Sequence, residues 1–462
     1  MPSSSASTII RGGTVVTVVG DQVEVLAGYT ILIENGAIVS LEPDGRAAAS
    51  ALDTGASEVI DARDHIVIPG LVNAHHHLYQ SLTRVLSDAQ NVELFDWLRT
   101  LYARWRHLND DAVKLASSVS IAELLLSGCT TTSDHFYMVP RRSDVRHESV
   151  LDAAEALGIR IHLCRGSMSV GESGGGLPPD DCTEDEDAIL ADCVRMLDAY
   201  HDADPLAMRR IDLAPCSPFN VSPRLFAATR DLARERGVLL HTHAAETKDE
   251  ERYCLETYGR RPIPFLRDHG WLGDDVYLAH CVCLSDEDIA LLAESRTGIV
   301  HCPCSNMRLG SGIAPIAKLL AAGARVGVAV DGSSSNDGGN VLAEARQALL
   351  MQRVAGGAEA LGVAQAFALA TTGGAAVLNR DRLGRVDVGM AADIAMFRKD
   401  DVGLAGAAAQ DPLGALILCH APRADRVLVA GRTVVQDGRL VTADERKLAR
   451  DLNQLVADGP FR

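Results

Sequence analysis

Short apolar segments recur along the middle of this 462-residue chain, and loop and helical sequence follows each of them. This alternation is typical of β–α units, in which helices cover buried parallel strands. Eight such units over roughly 300 residues predict a (β/α)8 barrel of the TIM type, in the α/β class. The predicted strands span 66–74, 129–134, 160–165, 211–216, 238–243, 276–280, 298–302 and 325–331, and helical patterns include 111–126, 144–157, 223–236 and 340–354.

The two ends of the chain follow a different pattern. Short β-branched runs punctuated by glycine occupy 8–41, and the same rhythm returns at 426–435 and 439–442. Such runs predict strands joined by tight turns. We therefore expect residues 1–65 and 385–462 to form one small β-sandwich domain, and residues 66–384 to form the barrel.

Composition argues against several classes of function. Asp and Glu number 62 against 44 Lys and Arg, a formal net charge of −18, which disfavours nucleic acid or an anionic membrane as a partner. No apolar run approaches the length of about 20 residues that a membrane helix needs, and no signal-peptide pattern is present. The 11 cysteines are scattered through apolar segments, as in a reducing compartment. We expect a cytoplasmic protein that acts on a small molecule; a homo-oligomer remains open.

Polar residues, chiefly histidines, end the apolar strands. The carboxyl ends of the strands build the site in a barrel of this kind. In the run of three histidines at 75–77, a two-residue period places His75 and His77 on one face. Later predicted strands end at or near His241, His243, Glu246, His280, His301 and Asp331. Imidazole and carboxylate ligands without thiolate suit Zn²⁺ or Fe²⁺ with an open coordination position.

Two Cys-x-Cys pairs offer an alternative metal site. They comprise Cys281 with Cys283 and Cys302 with Cys304. Structural zinc sites more often use Cys-x2-Cys spacing. We therefore interpret these cysteines as small apolar residues in and after barrel strands.

Several segments in chain order together resemble the amidohydrolase superfamily, and within it the cytosine deaminase-like branch of aminohydrolases. They are Pro-Gly-Leu-Val-Asn-Ala-His-His-His at 69–77, His-Ala-Ala-Glu at 243–246, Leu-Ala-His at 278–280, Val-Asp-Gly at 330–332 and the return into the β domain at 384–394. The resemblance implies one divalent cation, Zn²⁺ or alternatively Fe²⁺, and the ligands it implies are His75, His77, His243 and Asp331. Related enzymes with two metals carry a carboxylated lysine on the fourth strand, and none of the five lysines lies in 211–216.

The resemblance also implies roles for three residues. Asp331 accepts a proton from the attacking water, and His280 orients that water. Glu246 protonates a ring nitrogen of the substrate and passes the proton to the departing ammonia. The expected reaction is therefore the hydrolytic deamination of an amino-substituted heterocycle.

Three further segments, 77–84, 93–102 and 301–309, are similar to those of 8-oxoguanine deaminases and hydroxyatrazine aminohydrolases, two groups within that branch. The first hypothesis is thus hydrolysis of 8-oxoguanine to urate and ammonia. The candidate substrate-binding residues are Gln80, whose amide suits a lactam edge, Trp97, which would cover the ring, and Asn306 and Arg308 after the seventh strand.

Other functions stay open at this point. Isoxanthopterin or another pterin, guanine, hydroxyatrazine and adenosine-like nucleosides are alternative substrates, because only the pocket distinguishes them. A non-catalytic scaffold is disfavoured, since every ligand and acid–base position is filled. The glycine-rich segment 171–187 is either a mobile lid or a disordered insertion.

Overall fold

The computed structural model describes residues 7–20, 22–44, 58–419 and 423–462. Residues 1–6, 21 and 45–57 of the predicted N-terminal β segment lie outside this range. The strands are β1 Ser7–Val19, β2 Gln22–Glu34, β3 Ala37–Pro43, β4 Glu58–Asp61, β5 His65–Pro69, β6 Leu71–Asn73, β7 Cys129–Phe136, β8 Arg160–Ser167, β9 Arg209–Pro215, β10 Leu240–Ala244, β11 Val276–His280, β12 Gly298–His301, β13 Arg325–Val328, β14 Ile394–Arg398, β15 Arg426–Val429, β16 Arg432–Gln436 and β17 Arg439–Leu440.

Helices follow most of the barrel strands. They span Leu94–Trp105, Asp110–Leu126, Glu148–Leu157, Glu186–Tyr200, Pro223–Arg236, Lys248–Tyr258, Pro262–Asp268, Asp286–Glu294, Pro303–Arg308, Ile316–Ala321, Val341–Gly356, Val363–Ala368, Gly374–Val377, Ala407–Gln410, Pro412–Leu418 and Glu445–Asp458. Side chains that accept backbone N–H groups begin several of them, among these Asn109, Ser222 and Thr247. None of the helices in the described ranges is long and apolar enough to cross a membrane.

The strands β6 to β13 form the barrel, and each lies beside its neighbour in the sequence. The pairs in this sheet are parallel. The first and last strands meet where Val330 donates its backbone N–H to Asn73 Oδ1 at 2.8 Å and Ala74 donates to the Val328 carbonyl at 3.5 Å. The predicted eight-stranded barrel is therefore confirmed.

Strands from both ends of the chain join in a second, nine-stranded sheet. Its order is β17-β16-β15-β14-β5-β1-β2-β3, with β4 beside β1. Most of its pairs are antiparallel. Strand β1 bends at Gly12, where φ is +74°, and the sheet encloses a core of its own that includes Ile31, Met396 and Leu428.

The predicted first strand at 66–74 is divided at Gly70. Residues before it lie in β5 and belong to the nine-stranded sheet, whereas those after it begin the barrel as β6. The Gly70 N–H donates to the Asp393 carbonyl at 2.8 Å, and a Cβ at this position would lie only 2.1 Å from Thr130 Oγ1. Both halves are apolar and buried, so the apolar run alone could not locate the break.

Several other predicted elements have different bounds in the structure. The helix predicted at 144–157 begins at Glu148, because the Asp144 carboxylate accepts the Asp110 N–H at 3.1 Å and holds the preceding residues in a connection. The eighth strand ends at Val328, before Asp331.

The segment 171–187 folds into two short turns, and an ion pair between Arg106 and Asp181 fastens it to the barrel.

A buried ion pair joins the barrel to the nine-stranded sheet. Arg160 on β8 donates from Nε and Nη2 to the two carboxylate oxygens of Asp393, both at 2.9 Å. Asp393 also accepts the Ala430 N–H at 2.7 Å. Since both side chains are buried, neither charge has water as a substitute partner.

Replacing Arg160 by methionine is expected to lower the free energy of unfolding by about 3–5 kcal/mol, because Asp393 would remain buried without its partner. Urea unfolding followed by circular dichroism measures this change. The matched control, Arg398→Met, breaks the exposed pair with Asp400 and is expected to leave the urea midpoint unchanged. Equal midpoints for the two variants would show that the buried pair does not hold the sheets together.

Candidate active site

Three ring nitrogens and one carboxylate oxygen converge at the carboxyl end of the barrel. The Nε2 atoms of His75 and His77 lie 3.3 and 3.4 Å from Asp331 Oδ1, and His77 Nε2 lies 3.1 Å from His243 Nε2. All four side chains are buried. The structure thus brings together every residue that the sequence predicted as a metal ligand.

Hydrogen bonds on the far side of two rings fix their tautomers. His77 Nδ1 lies 2.7 Å from the His135 carbonyl oxygen, and His243 Nδ1 lies 2.7 Å from that of Cys216. A carbonyl oxygen only accepts, so each Nδ1 carries the proton and each Nε2 presents a lone pair.

The third ring is fixed through a second histidine. His241 Nδ1 lies 2.8 Å from the Tyr277 carbonyl and must donate to it, which leaves His241 Nε2 as an acceptor. His75 Nδ1, 2.8 Å from that Nε2, therefore donates, and His75 Nε2 presents its lone pair to Asp331. His241 thus orients a predicted metal ligand, as outer-shell residues do in metal sites.

The converging atoms are all acceptors, and they repel one another unless a cation lies between them. His75 Nε2 is buried and has no hydrogen-bond partner among the described residues. Burial lowers the pKa of His75, His77 and His243, which keeps these rings neutral and able to bind a metal. Neutral imidazoles with one carboxylate fit a single divalent cation such as Zn²⁺ or Fe²⁺.

Cysteine has no part in the cation-binding groups found among the described residues. Those groups are His75 with His77 and His243, His75 with His280 and Asp331, and His75 with His135 and His241. Cys281 and Cys302 are buried, and all the thiols of the described residues are free. This agrees with the interpretation of the Cys-x-Cys pairs as apolar residues.

The four converging residues His75, His77, His243 and Asp331 are called the acceptor cluster below. Glu246 and His280 lie beside it. His280 Nε2 is 3.6 Å from Glu246 Oε2 and 3.9 Å from Asp331 Oδ2. Burial raises the pKa of Glu246 to about 7. Burial alone would lower the pKa of His280, but the charges of Glu246 and Asp331 outweigh it and raise this pKa. A carboxyl group that exchanges protons near neutral pH therefore faces an imidazole held between two carboxylates.

The backbone turns sharply where these side chains are attached. Ala245, His280 and Asp331 have φ values of +52°, +73° and +62°, in the left-handed region that residues other than glycine seldom adopt. Such conformations persist only where the surrounding structure holds them, and they are common at active sites.

A cavity opens onto this cluster. Its walls are mainly apolar and aromatic, and they include Leu94, Trp97, Leu98, Tyr102, Tyr137, Phe219 and Leu309. Gln80 also lines the cavity. The indole Nε1 of Trp97 is buried and donates to no acceptor of the described chain.

The two other predicted substrate-binding residues lie elsewhere. Asn306 does not line the cavity; its Oδ1 lies 3.0 Å from His280 Nδ1 and orients that ring. Arg308 ends the helix Pro303–Arg308 and turns away, donating to Asp337 at 3.1 Å and to the Gln90 carbonyl at 3.1 Å. The structure therefore does not bring Arg308 to the site, because its guanidinium joins two loops.

Sequence reasoning missed several residues at this site. His135, at the end of β7, stacks on His243 with ring centroids 4.7 Å apart, and the rule used for the other strand ends would have found it. Cys216 also lies at a strand end, directly after β9, and it lines the cavity. Phe219 and Asn220 lie in the next loop, and no motif marks them. His301, predicted at the rim, is buried outside the acceptor cluster, and within the described part of the chain neither of its ring nitrogens has a hydrogen-bond partner.

Residues 66–434 match the family model described as the amidohydrolase family. The chain belongs to this family of hydrolases, which confirms the resemblance drawn from its motifs. It is 46% identical to 8-oxoguanine deaminase of Pseudomonas aeruginosa over 414 residues, covering 90% of this chain and 91% of that one. It is 36% identical to isoxanthopterin deaminase of an unknown prokaryotic organism, covering 87% of each chain. The zinc complex of atrazine chlorohydrolase from Arthrobacter aurescens TC1 superposes with a TM-score of 0.91 at 34% identity, covering 97% of this chain and 100% of that one.

Proposed function

We propose that this chain hydrolyses 8-oxoguanine to urate and ammonia, with one divalent cation, Zn²⁺ by preference, held by the acceptor cluster. One observation carries the proposal: an apolar cavity leads to Glu246, His280 and Asp331, which face one another at its inner end. The 46% identity to an 8-oxoguanine deaminase supports this choice of substrate.

The cavity suits a flat heterocycle. Its apolar and aromatic side chains can cover the two faces of a ring. Apart from the proposed ligands and acid–base groups, the polar residues that line the cavity are Gln80, Asn220 and Ser335. We assign the Gln80 amide to a lactam edge and the free Trp97 N–H to a carbonyl oxygen.

His75, His77, His243 and Asp331 would hold the cation, which would lower the pKa of a bound water to roughly 7 and so supply hydroxide at neutral pH. Asp331 accepts the proton that the water releases, and His280, held by Asn306, fixes the direction of attack. Glu246 donates a proton to a ring nitrogen beside the amino-bearing carbon.

The atoms of this reaction balance. A bond forms between the water oxygen and the amino-bearing carbon, and the bond from that carbon to the amino nitrogen breaks. Glu246 gives the ring nitrogen its proton and is reprotonated by one of the water's two protons, while the other departs with the amino group as NH₃. The products are the carbonyl compound urate and ammonia.

Ammonia release from 8-oxoguanine, isoxanthopterin, guanine and hydroxyatrazine tests the proposal. We expect the highest kcat/KM with 8-oxoguanine, and none with the Asp331→Asn variant. Release from isoxanthopterin with none from 8-oxoguanine would reject the proposed substrate. It would instead favour the pterin activity named for the 36% identical relative.

Replacing Trp97 by phenylalanine is expected to raise KM for 8-oxoguanine by about tenfold with little change in kcat, because one hydrogen bond of about 1.4 kcal/mol is lost while the aromatic cover remains. Steady-state kinetics measures both constants. Trp105→Phe is the matched control, since its indole donates to Thr83 inside the core at 3.0 Å and does not line the cavity. A KM that is equal in the two variants would remove Trp97 as a substrate contact.

A further inference from the structure

Glu250 is a buried carboxylate that neither lines the cavity nor belongs to the acceptor cluster. It lies near the start of the helix Lys248–Tyr258. Its Oε1 accepts the backbone N–H of Ala245 at 3.0 Å, and its Oε2 accepts that of Glu246 at 2.7 Å. Both oxygens are thus committed to the two residues that connect β10 to the Glu246 side chain.

The segment that Glu250 holds has a strained conformation. Ala245 has a φ of +52°, and the change of direction at this residue aims the Glu246 side chain back toward His280. Two consecutive N–H groups point toward one side here, and a carboxylate with two acceptor oxygens matches them.

The same segment also fixes the neighbouring turn. The Ala245 carbonyl accepts the N–H groups of Val282 at 2.9 Å and Cys283 at 2.7 Å. These residues follow His280 and Cys281, whose φ values are +73° and +49°. Two left-handed turns, one carrying Glu246 and the other His280, are therefore joined, and Glu250 anchors the first of them.

An ordinary helix cap does not explain these contacts. In a capping box the third residue of the helix accepts the N–H of the N-cap residue itself. The next β–α unit has this arrangement, where Asp288 accepts the Ser285 N–H at 2.9 Å. Glu250 occupies the same helix position after the N-cap Thr247, but its carboxylate bonds the two residues before that cap.

We infer that Glu250 is a positioning residue that holds the Glu246 carboxyl group in its productive place between substrate and His280. The inference rests on the proposed acid–base role of Glu246. Glu250 itself touches neither the substrate cavity nor the acceptor cluster, so it acts through the turn that carries Glu246.

The test begins with Glu250→Gln. A glutamine keeps one acceptor oxygen but places an NH₂ group against a backbone N–H, so one of the two contacts is lost. We expect kcat for ammonia release to fall by about tenfold to a hundredfold, as small displacements of catalytic groups do, with KM and metal content retained. Glu250→Asp keeps both oxygens on a shorter stem and is expected to give an intermediate kcat, which also tests the inference should the glutamine variant fold poorly.

A double-mutant cycle separates positioning from general stability. If Glu250 acts through Glu246, the pair Glu246→Gln/Glu250→Gln loses no more activity than Glu246→Gln alone. Asp288→Asn, the same change in the neighbouring cap, is expected to lower Tm with kcat retained. Multiplying losses in the double variant, or an unchanged kcat in Glu250→Gln, would overturn the inference while leaving the proposed function intact. Full activity in Glu246→Gln would instead overturn the proposed role of Glu246 and the inference with it.

Discussion

Replacement of Asp331 by asparagine is expected to abolish metal binding and deamination together. Asp331 supplies the only negative charge among the four converging acceptors, and its Oδ1 lies 3.3 and 3.4 Å from two of the ring nitrogens. The amide lacks this charge and cannot accept the proton of the attacking water. We expect ammonia release to fall by about 10²–10⁴-fold from the lost proton transfer alone, and further because the metal is lost.

Thermal unfolding supplies a readout that does not depend on turnover. Metal added to the metal-free wild-type protein at about 1,000 times its Kd stabilises the folded state by about 4 kcal/mol and raises Tm. The asparagine variant should show little of this rise. Asp337→Asn, whose carboxylate accepts the Val85 N–H outside the cluster, should keep the full rise. A normal metal-dependent rise in the Asp331 variant would rule out the proposed ligand set.

Replacement of Glu246 by glutamine is expected to lower kcat by about 10²–10⁴-fold while the metal stays bound, because the amide cannot deliver a proton to the ring nitrogen. The acceptor cluster does not include Glu246, so metal content separates this variant from Asp331→Asn. Steady-state ammonia release together with metal analysis measures both properties. Loss of metal along with activity would make Glu246 a ligand.

The proposed role of Glu246 also predicts the direction in which activity changes with pH. Burial raises the pKa of Glu246 to about 7, so the carboxyl carries its proton below that pH and loses it above. Activity that needs this proton should therefore decline as the pH rises through about 7, and Glu246→Gln should lack this decline. Glu344 offers a matched control, because burial also raises its pKa to about 7 while it bonds Cys304 and Asn336 outside the cavity. If the decline disappears in Glu344→Gln, it arises from Glu344, and the prediction for Glu246 is wrong.

The repeated strand and helix patterns in the sequence predict the repeated β–α units of the structure. Alternating apolar strands and helices indicate the barrel, and histidines at strand ends indicate the cluster, because parallel strands bring their carboxyl ends together. The division at Gly70 has no such signal, since it depends on how closely Thr130 approaches the backbone.

The direction in which a side chain points is the second feature that the sequence does not predict. Arg308 lies one short helix from the site, yet Asp337 and two carbonyl groups draw it outward. Glu250 occupies a helix position that is common in capping boxes, yet its oxygens accept the N–H groups of Ala245 and Glu246 at a left-handed turn. Such contacts depend on dihedral angles that residue patterns do not specify.

The strand β5, which leads into the first histidines, has partners from opposite ends of the chain. It pairs with β1 on one side and with β14 on the other, and His65 bonds Asp425 across 360 positions. During synthesis, a ribosome must release nearly the whole polypeptide before these late segments can pair. The nine-stranded sheet, unlike the barrel strands β6 to β13, therefore cannot be completed early in synthesis. His75 and His77 therefore emerge early but follow a strand whose pairing is completed late.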